Sequence, residues 1–233
     1  MSKEYLSQFY VMLEENIGIS LDDTKQYLIE SRLLPLSRKA GHPDVYSFVK
    51  ELVQMPVAAI HWKAFEALTT NETSFFRDKH VFESLKNHIL PMLIAARRNE
   101  KALCIWSSAV SAGQEAYSIA MLLREFFPEL HDWNILIQAT DISEGILEKA
   151  KAGIYSPSEV KRGLDQRYLQ KYFHQLEGGY QIDSTIRSMV NFLPHNLVAM
   201  WPFYPKFDLI MLRNVLIYFN QNVKDRVLEK IHR

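Results

Sequence analysis

The sequence predicts an α/β protein, a parallel sheet with helices on both faces, preceded by a region built of helices. Two observations carry the sheet. From about residue 100 onward, short apolar runs alternate with helical ones over 102–106, 115–127, 135–139 and 146–152, the pattern of βαβ units. The run Phe207-Asp-Leu-Ile-Met-Leu212 is a further strand, and its apolar character on both faces suits a buried place in the sheet. A third observation sets off the start of the chain. Leu6, Phe9, Tyr10 and Leu13 repeat at helical spacing, and such segments, joined by short turns, continue to about residue 70.

Taken in order, the first helix stops at Asn16-Ile17-Gly18, and Ser20 followed by Asp23 reads as a capping box for a second helix. That helix carries Lys25, Arg32, Arg38 and Lys39 along it or just beyond its end. Such a basic stripe is either a solvated face or a surface for an acidic helical partner. Gly41-His-Pro43 breaks the pattern, and two more helices follow over 45–52 and 57–68. Later, Gly178-Gly179 flanked by Tyr180, Ile182 and Ile186 reads as a small antiparallel hairpin inserted over about 172–192.

Composition narrows the function. The 233 residues suffice for one medium domain, or for a core domain with a small helical attachment. Lys plus Arg equals Asp plus Glu at 27 each, so no global field argues for nucleic acid or an anionic membrane, and a charged partner has to be met by a local patch. No apolar run approaches the ~18 residues of a membrane span, and the opening Met-Ser-Lys-Glu-Tyr lacks a basic-then-apolar signal. The expectation is a soluble, cytoplasmic protein with no membrane insertion. Cys104 is the only cysteine and reads as a small buried hydrophobe, which excludes an internal disulfide. The eight histidines lack ligand spacing such as H-E-x-x-H, so no metal is expected.

In doubly wound sheets the ligand lies beyond the carboxyl ends of the strands. After the first strand come Ser107, Ser108, Ala109, Ser111, Ala112 and Gly113, small residues that let backbone approach a ligand. With one glycine among them there is no G-x-G-x-x-G, which argues against a dinucleotide. The second strand ends in Thr140-Asp141, where an acid can either accept from ribose hydroxyls or cap the next helix, a duty Ser143 could equally take. The last strand ends in Arg213-Asn214, with Tyr218 shortly after. Acid, amide, arginine and aromatic together suit a nucleoside with charged ends.

These residues fall in recognisable motifs: Asn71-x-Thr73-x-Phe-Phe-Arg77, Trp106-Ser-x-x-x-Ser111-x-Gly113-x-Glu115-x-Tyr-Ser-Ile-Ala120, Ala139-Thr-Asp141-Ile, Gly153-Ile-Tyr155, Arg162-Gly163-Leu164, Tyr172-Phe173, Asn196-Leu197 and Arg213-Asn-Val-Leu-Ile-Tyr-Phe219. Over nearly its whole length the chain resembles the CheR family of chemotaxis receptor glutamate methyltransferases. The resemblance implies a class I, Rossmann-like S-adenosylmethionine-dependent methyltransferase sheet with a helical N-terminal subdomain (1–70), a linker with helices carrying the first motif (71–100), and an α/β domain (101–233) holding the β insert. It implies that Asn71, Thr73, Arg77, Glu115, Asp141, Asn196, Leu197, Arg213 and Asn214 contact the cofactor. Asp141 would take the ribose hydroxyls, Asn196 and Leu197 the adenine, and arginine and glutamate side chains the carboxylate and ammonium of the methionine moiety.

The resemblance further implies methyl transfer to receptor glutamates, giving methyl esters and S-adenosylhomocysteine. Arg77 would hold the substrate carboxylate, Tyr218 would line the transfer channel or else pack as a core aromatic, and Lys25, Arg32, Arg38 and Lys39 would dock the cytoplasmic helical region of a receptor. The hairpin turn Glu177-Gly178-Gly179 is short, which argues against a grip on a receptor's C-terminal pentapeptide. Two departures stand out. Family members usually have Ser-Thr-Gly-Glu-Glu-Pro-Tyr where this chain has Ser111-Ala-Gly-Gln-Glu-Ala-Tyr117, and the family's C-terminal strands are absent from the chain. Residues 207–212 would then form an exposed apolar edge, open to self-association. The alternative function is a cofactor-binding or receptor-binding module with weak or no turnover.

Overall fold

The computed structural model describes residues 3–232. They form two compact units. A helical unit takes the chain up to Thr70, Asn196–Pro202 and the chain from Asn214 onward, while an α/β unit takes Asn71–His195 and Phe203–Arg213. The residues expected to form a linker over 71–100 thus belong to the α/β unit, and two segments from late in the chain join the helices.

In the helical unit, α1 (Lys3–Ile17) buries Leu6, Phe9 and Leu13 along one face. The expected cap at Ser20 is displaced. Ile19 makes a β-bridge to Phe219 and the Ser20 N–H donates to the Tyr218 carbonyl, so this stretch is extended backbone. The carboxylate of Asp22 instead accepts the Thr24 N–H at 2.9 Å and starts a 3₁₀ turn, Asp23–Lys25, leading into α2 (Gln26–Lys39). Asp44 caps α3 (Val45–Gln54) by accepting the Ser47 N–H at 2.7 Å. In α4 (Ala59–Leu68) the buried His61 accepts the Ala58 N–H at Nδ1 and so carries its proton on Nε2, which donates to the Leu52 carbonyl. The late segments are held by orphan carbonyls. Lys230, on the helix Gln221–His232, donates to the carbonyls of Leu197, Val198 and Ala199, and Asn196 Nδ2 donates to the Asn16 carbonyl at 2.7 Å.

The α/β unit contains α5 (Lys79–Ser84), a π-helical turn Leu85–Ile89, α6 (Leu90–Ala96), β1 (Ala102–Ser108), α7 (Gln114–Phe126), β2 (Asn134–Asp141), α8 (Glu144–Ala152), β3 (Ile154–Tyr155), α9 (Pro157–Lys161), α10 (Gln166–Tyr172), β4 (Phe173–Leu176), β5 (Gly179–Ile182), α11 (Ser184–Arg187), β6 (Val190–Pro194) and β7 (Leu209–Leu212). The main sheet has the order β6-β2-β1-β7 and every pairing is parallel. Ser108 registers with Thr140 on one side and Leu212 on the other, so the loops after β1, β2 and β7 leave from the same edge. That alignment positions the site. Leu103, Ile105, Ile137 and Ala139 on the strands and Ala116, Ile119 and Ala120 on α7 are all buried, each large apolar side chain contributing roughly 1.5–3 kcal/mol.

Three expectations need correction. The insert is the antiparallel sheet β3-β5-β4 and closes at Ile182, whereas Val190–Pro194 is a strand of the main sheet beside β2. Its run is short and follows the hairpin directly, so periodicity alone merges the two. The last strand begins at Leu209 and lies at the edge of the sheet among the described residues, with Leu209, Ile210 and Leu212 half-buried, so of the two expectations for 207–212 the buried place gives way to the sheet edge. Cys104 is half-buried, with its thiol pushed up by burial and by the neighbouring Asp208.

Gly163 approaches the Phe75 carbonyl so closely that an added Cβ would lie 2.1 Å from its oxygen, and its φ of +91° is strained for any side chain. Gly163→Ala should lower the stability of the fold by roughly 2–4 kcal/mol. Gly145→Ala, on α8 with nothing within 4 Å of the new Cβ, should raise it by about 0.5–1 kcal/mol. Denaturant midpoints of the two variants check the pair.

Candidate active site

The loop after β1 is held in a costly shape. Ala109 and Ser111, neither of them glycine, take φ of +55° and +52°, each costing of order 1–3 kcal/mol. Backbone and side-chain anchors hold it there. The Val110 N–H donates to the Thr140 carbonyl at 3.0 Å, the Ser111 N–H to Asp141 Oδ2 at 2.7 Å, and the Tyr155 hydroxyl to the Ala112 carbonyl at 2.7 Å. Gly113, at φ +86°, closes the loop because an added Cβ would meet Ala150 at 3.0 Å and the Phe192 ring at 3.1 Å. Small residues here let backbone reach a ligand.

Asp141, at the carboxyl end of β2, is buried and uses its other oxygen, Oδ1, to accept the Ser143 N–H at 3.0 Å. Ser143 is the N-cap of α8, accepting the Ile146 N–H at 3.3 Å. The helix therefore does not need Asp141. Its carboxylate organises two loops, and a carboxylate has about four acceptor positions for two oxygens.

The segment 71–77 is fastened to this frame. Ser111 Oγ donates to the Asn71 carbonyl at 3.1 Å, and Ser118 Oγ accepts the Phe76 N–H at 2.9 Å. Phe75 is fully buried, edge-on to Tyr155 and Phe173 at centroid distances of 5.0 and 5.5 Å. Arg213, just past β7, makes the central connection: Nη1 donates to Glu115 Oε2 at 2.7 Å, and Nη2 to Asp78 Oδ2 at 2.6 Å and to the Arg77 carbonyl at 3.0 Å. Glu115, in the first turn of α7, also accepts from Ser107 Oγ at 2.8 Å. Burial pushes its carboxyl above the ordinary range, against the opposing pull of Ser107, Arg213 and Arg77.

Other side chains remain available. Arg77 donates to the Glu72 carbonyl at 2.8 Å and makes no ion pair among the described residues. The Asn71 and Thr73 side chains make no hydrogen bond among them either, and the buried Ser108 Oγ and Gln114 Oε1 lack a partner. Buried polar atoms without partners carry a desolvation cost that a polar ligand relieves. An S-adenosylmethionine-type ligand, with ammonium and hydroxyl donors, fits this set of oxygens and amides.

The structure thus brings Asn71, Thr73, Arg77, Glu115, Asp141 and Arg213 into one unit. Asn196, Leu197, Asn214 and Tyr218 belong to the helical unit. There Asn196 donates to Asn16 and accepts the Val198 N–H at 3.1 Å, Leu197 is buried, and Asn214 takes a left-handed φ of +56°. Tyr218 is half-buried in a 3₁₀ turn, Leu216–Tyr218. Of the expected docking cations, Lys25, Arg38 and Lys39 are exposed. Arg32 instead donates to the carbonyls of Leu68 and Thr69 at 2.8 and 2.9 Å, closing the end of α4. Sequence reasoning missed Asp78, Ser118 and Tyr155 as parts of the frame. Asp78 directly follows the Arg77 motif, which was a readable signal for a charge partner, whereas the contacts of Ser118 and Tyr155 depend on packing.

Removing the Arg213 guanidinium leaves Glu115 buried and unpaired, so Arg213→Met should cost about 3 kcal/mol. Arg213→Met combined with Glu115→Gln should cost clearly less than the sum of the two single changes, by 1 kcal/mol or more in a double-mutant cycle of urea unfolding.

Residues 71–233 match the family described as CheR methyltransferase, SAM binding domain. The chain is 39% identical over 231 residues to the chemotaxis protein methyltransferase Cher2 of Pseudomonas putida, an alignment spanning 97% of this chain and 83% of that protein. It is 40% identical to chemotaxis protein methyltransferase 1 of Pseudomonas aeruginosa, over 96% of this chain and 82% of the relative. The chemotaxis protein methyltransferase of Escherichia coli is 34% identical, over 99% of this chain and 79% of the relative. No helix among the described residues is long and apolar enough to cross a membrane. With an α/β unit whose parallel sheet gathers polar groups at its carboxyl edge, and with this match over most of its length, the chain belongs to the CheR family of S-adenosylmethionine-binding chemotaxis methyltransferases.

Proposed function

We propose that this protein methylates glutamate side chains on the cytoplasmic helical region of chemotaxis receptors, producing glutamate methyl esters and S-adenosylhomocysteine. The observation that carries this reading is Arg77, a cation with no ion pair among the described residues, held on a segment fastened to the loop after β1. When bound, S-adenosylmethionine supplies an electrophilic methyl group on a sulfonium. A glutamate carboxylate is already ionised at neutral pH, with an ordinary pKa near ~4.3, so no general base is needed. A carboxylate oxygen held in line with that methyl carbon would take it, with the electron pair of the broken carbon–sulfur bond left on sulfur. The charges cancel to give a neutral ester and a neutral thioether.

What the chain contributes is placement. Arg77 holds the substrate carboxylate, and Tyr218 offers an aromatic face to the cationic sulfonium. Asn71, Thr73, Glu115, Asp141, Asn196, Leu197, Arg213 and Asn214 hold the cofactor. Glu115 suits its ammonium group, while Arg213, already matched by Glu115 and Asp78, acts by fixing Glu115 in place. Lys25, Arg38 and Lys39 supply the local positive patch that a chain of zero net charge needs to meet acidic receptor helices in the cytoplasm. The hairpin turn between β4 and β5 is two residues long, and no pentapeptide tether is proposed. Each turnover removes one negative charge from the receptor, which can shift its signalling equilibrium.

Incubation with methyl-labelled cofactor and a receptor cytoplasmic fragment should place label on glutamates and release it as methanol in alkali. Cofactor binding without any label transfer would favour the non-catalytic binding module. Arg77→Ala should lower kcat by roughly 100-fold or more while leaving the melting temperature nearly unchanged. A pH dependence follows from Glu115. Its folded carboxyl takes up a proton at higher pH than a free glutamate, so cofactor affinity should fall on acidification starting above the ordinary carboxylate range. In Glu115→Gln, titration calorimetry should find weaker binding without that fall.

A further inference from the structure

Apart from the site at the carboxyl edge of the sheet, the α/β unit has a groove of about 450 Å³ that none of the roles above uses. Its floor is aromatic. Phe76, Phe82, Phe126 and Tyr168 line it, with Phe76 packed on Phe82 at 5.2 Å and on Tyr168 at 4.8 Å. Its rim is basic, carrying Lys79, Lys86, Lys161 and Arg167 against Glu83 and Asp165. Four cations against two acids leave the rim net positive. The Asp165 carboxylate already caps α10 by accepting the Arg167 N–H at 3.1 Å and lies 3.8 Å from Arg167 Nε. Lys79, Lys86 and Lys161 make no ion pair among the described residues. Lys86 instead rests over the Phe126 ring at 4.4 Å, and the Arg167 guanidinium over Phe126 and Tyr168 at 5.9 and 4.9 Å.

We infer that this groove binds an acidic amphipathic segment of the protein substrate, flanking the glutamate that is methylated; the inference rests on the function proposed above. Charge complementarity selects the occupant. Cations on four separate elements surround an apolar floor, which matches a helix whose acidic side chains flank an apolar stripe. A nucleotide would require cations or backbone amides converging on one phosphate, and here they are spread around a rim. Phe76 forms part of the floor, and Arg77 follows it in the chain. The groove would thus contribute to the choice of glutamate.

The test uses the full chain carrying Lys86→Glu and Arg167→Glu, two surface residues outside the site. With a receptor cytoplasmic fragment as substrate, KM should rise about tenfold, kcat should stay within twofold, and affinity for S-adenosylmethionine should not change. An unchanged KM would overturn the inference. Direct binding separates it from the parent reading: a fluorescent, glutamate-rich amphipathic helical peptide should bind the unmodified chain and lose about tenfold affinity in the double variant, whether or not methyl transfer is observed. Equal peptide affinity in both proteins, or displacement of the peptide by a mononucleotide at micromolar concentration, would refute the groove as a peptide site.

Discussion

The site depends on one guanidinium. Arg213 reaches from the end of an edge strand to Glu115 on α7, to Asp78 and to the Arg77 carbonyl, so three stretches far apart in sequence share a single planar cation. Arginine suits this task because its rigid fork of donors satisfies several acceptors at once, which a lysine could not do in one geometry. Side-chain exposures of 15% for Arg213 and 13% for Glu115 make the pair costly to break. The charge of Arg213 is already balanced by two acids, whereas Arg77 makes no ion pair among the described residues.

Around this connection the sheet provides rigidity and the loops provide strain. Parallel register brings the ends of β1, β2 and β7 level, and Asp141 then draws the loops after β1 and β2 together through two backbone N–H groups. Left-handed backbone at Ala109 and Ser111 persists because surrounding contacts over-determine it. The Tyr155 hydroxyl, donated from the small antiparallel sheet, is one of those contacts, which gives the insert a part in the site whether or not it meets a receptor.

Much of this was legible beforehand, for identifiable reasons. The alternation of apolar and helical runs announced the sheet, and the small residues after β1 marked the loop that takes a left-handed backbone at Ala109 and Ser111. Hidden were features set by distance in sequence. Val190–Pro194 has too few residues to announce which sheet it joins, and its partner β2 lies about fifty residues earlier. Ser20 looked like a cap until its N–H was found on Tyr218, nearly two hundred residues away. Arg32 appeared to be one cation of a surface stripe, but its guanidinium closes the end of α4. Among the candidate site residues, side-chain type singled out Arg77, Glu115 and Asp141 as polar positions, while the pairings that orient Glu115 and Asp141 required the fold.

The most direct measurement is a calorimetric titration of S-adenosylmethionine into the intact chain and into Arg213→Met, at a temperature where circular dichroism shows both to be folded. The expected result is one binding site per chain in the unmodified protein and at least tenfold weaker binding in the variant. Equal affinity in the two proteins would contradict it, because the cofactor surface would then not depend on the guanidinium that orients Glu115.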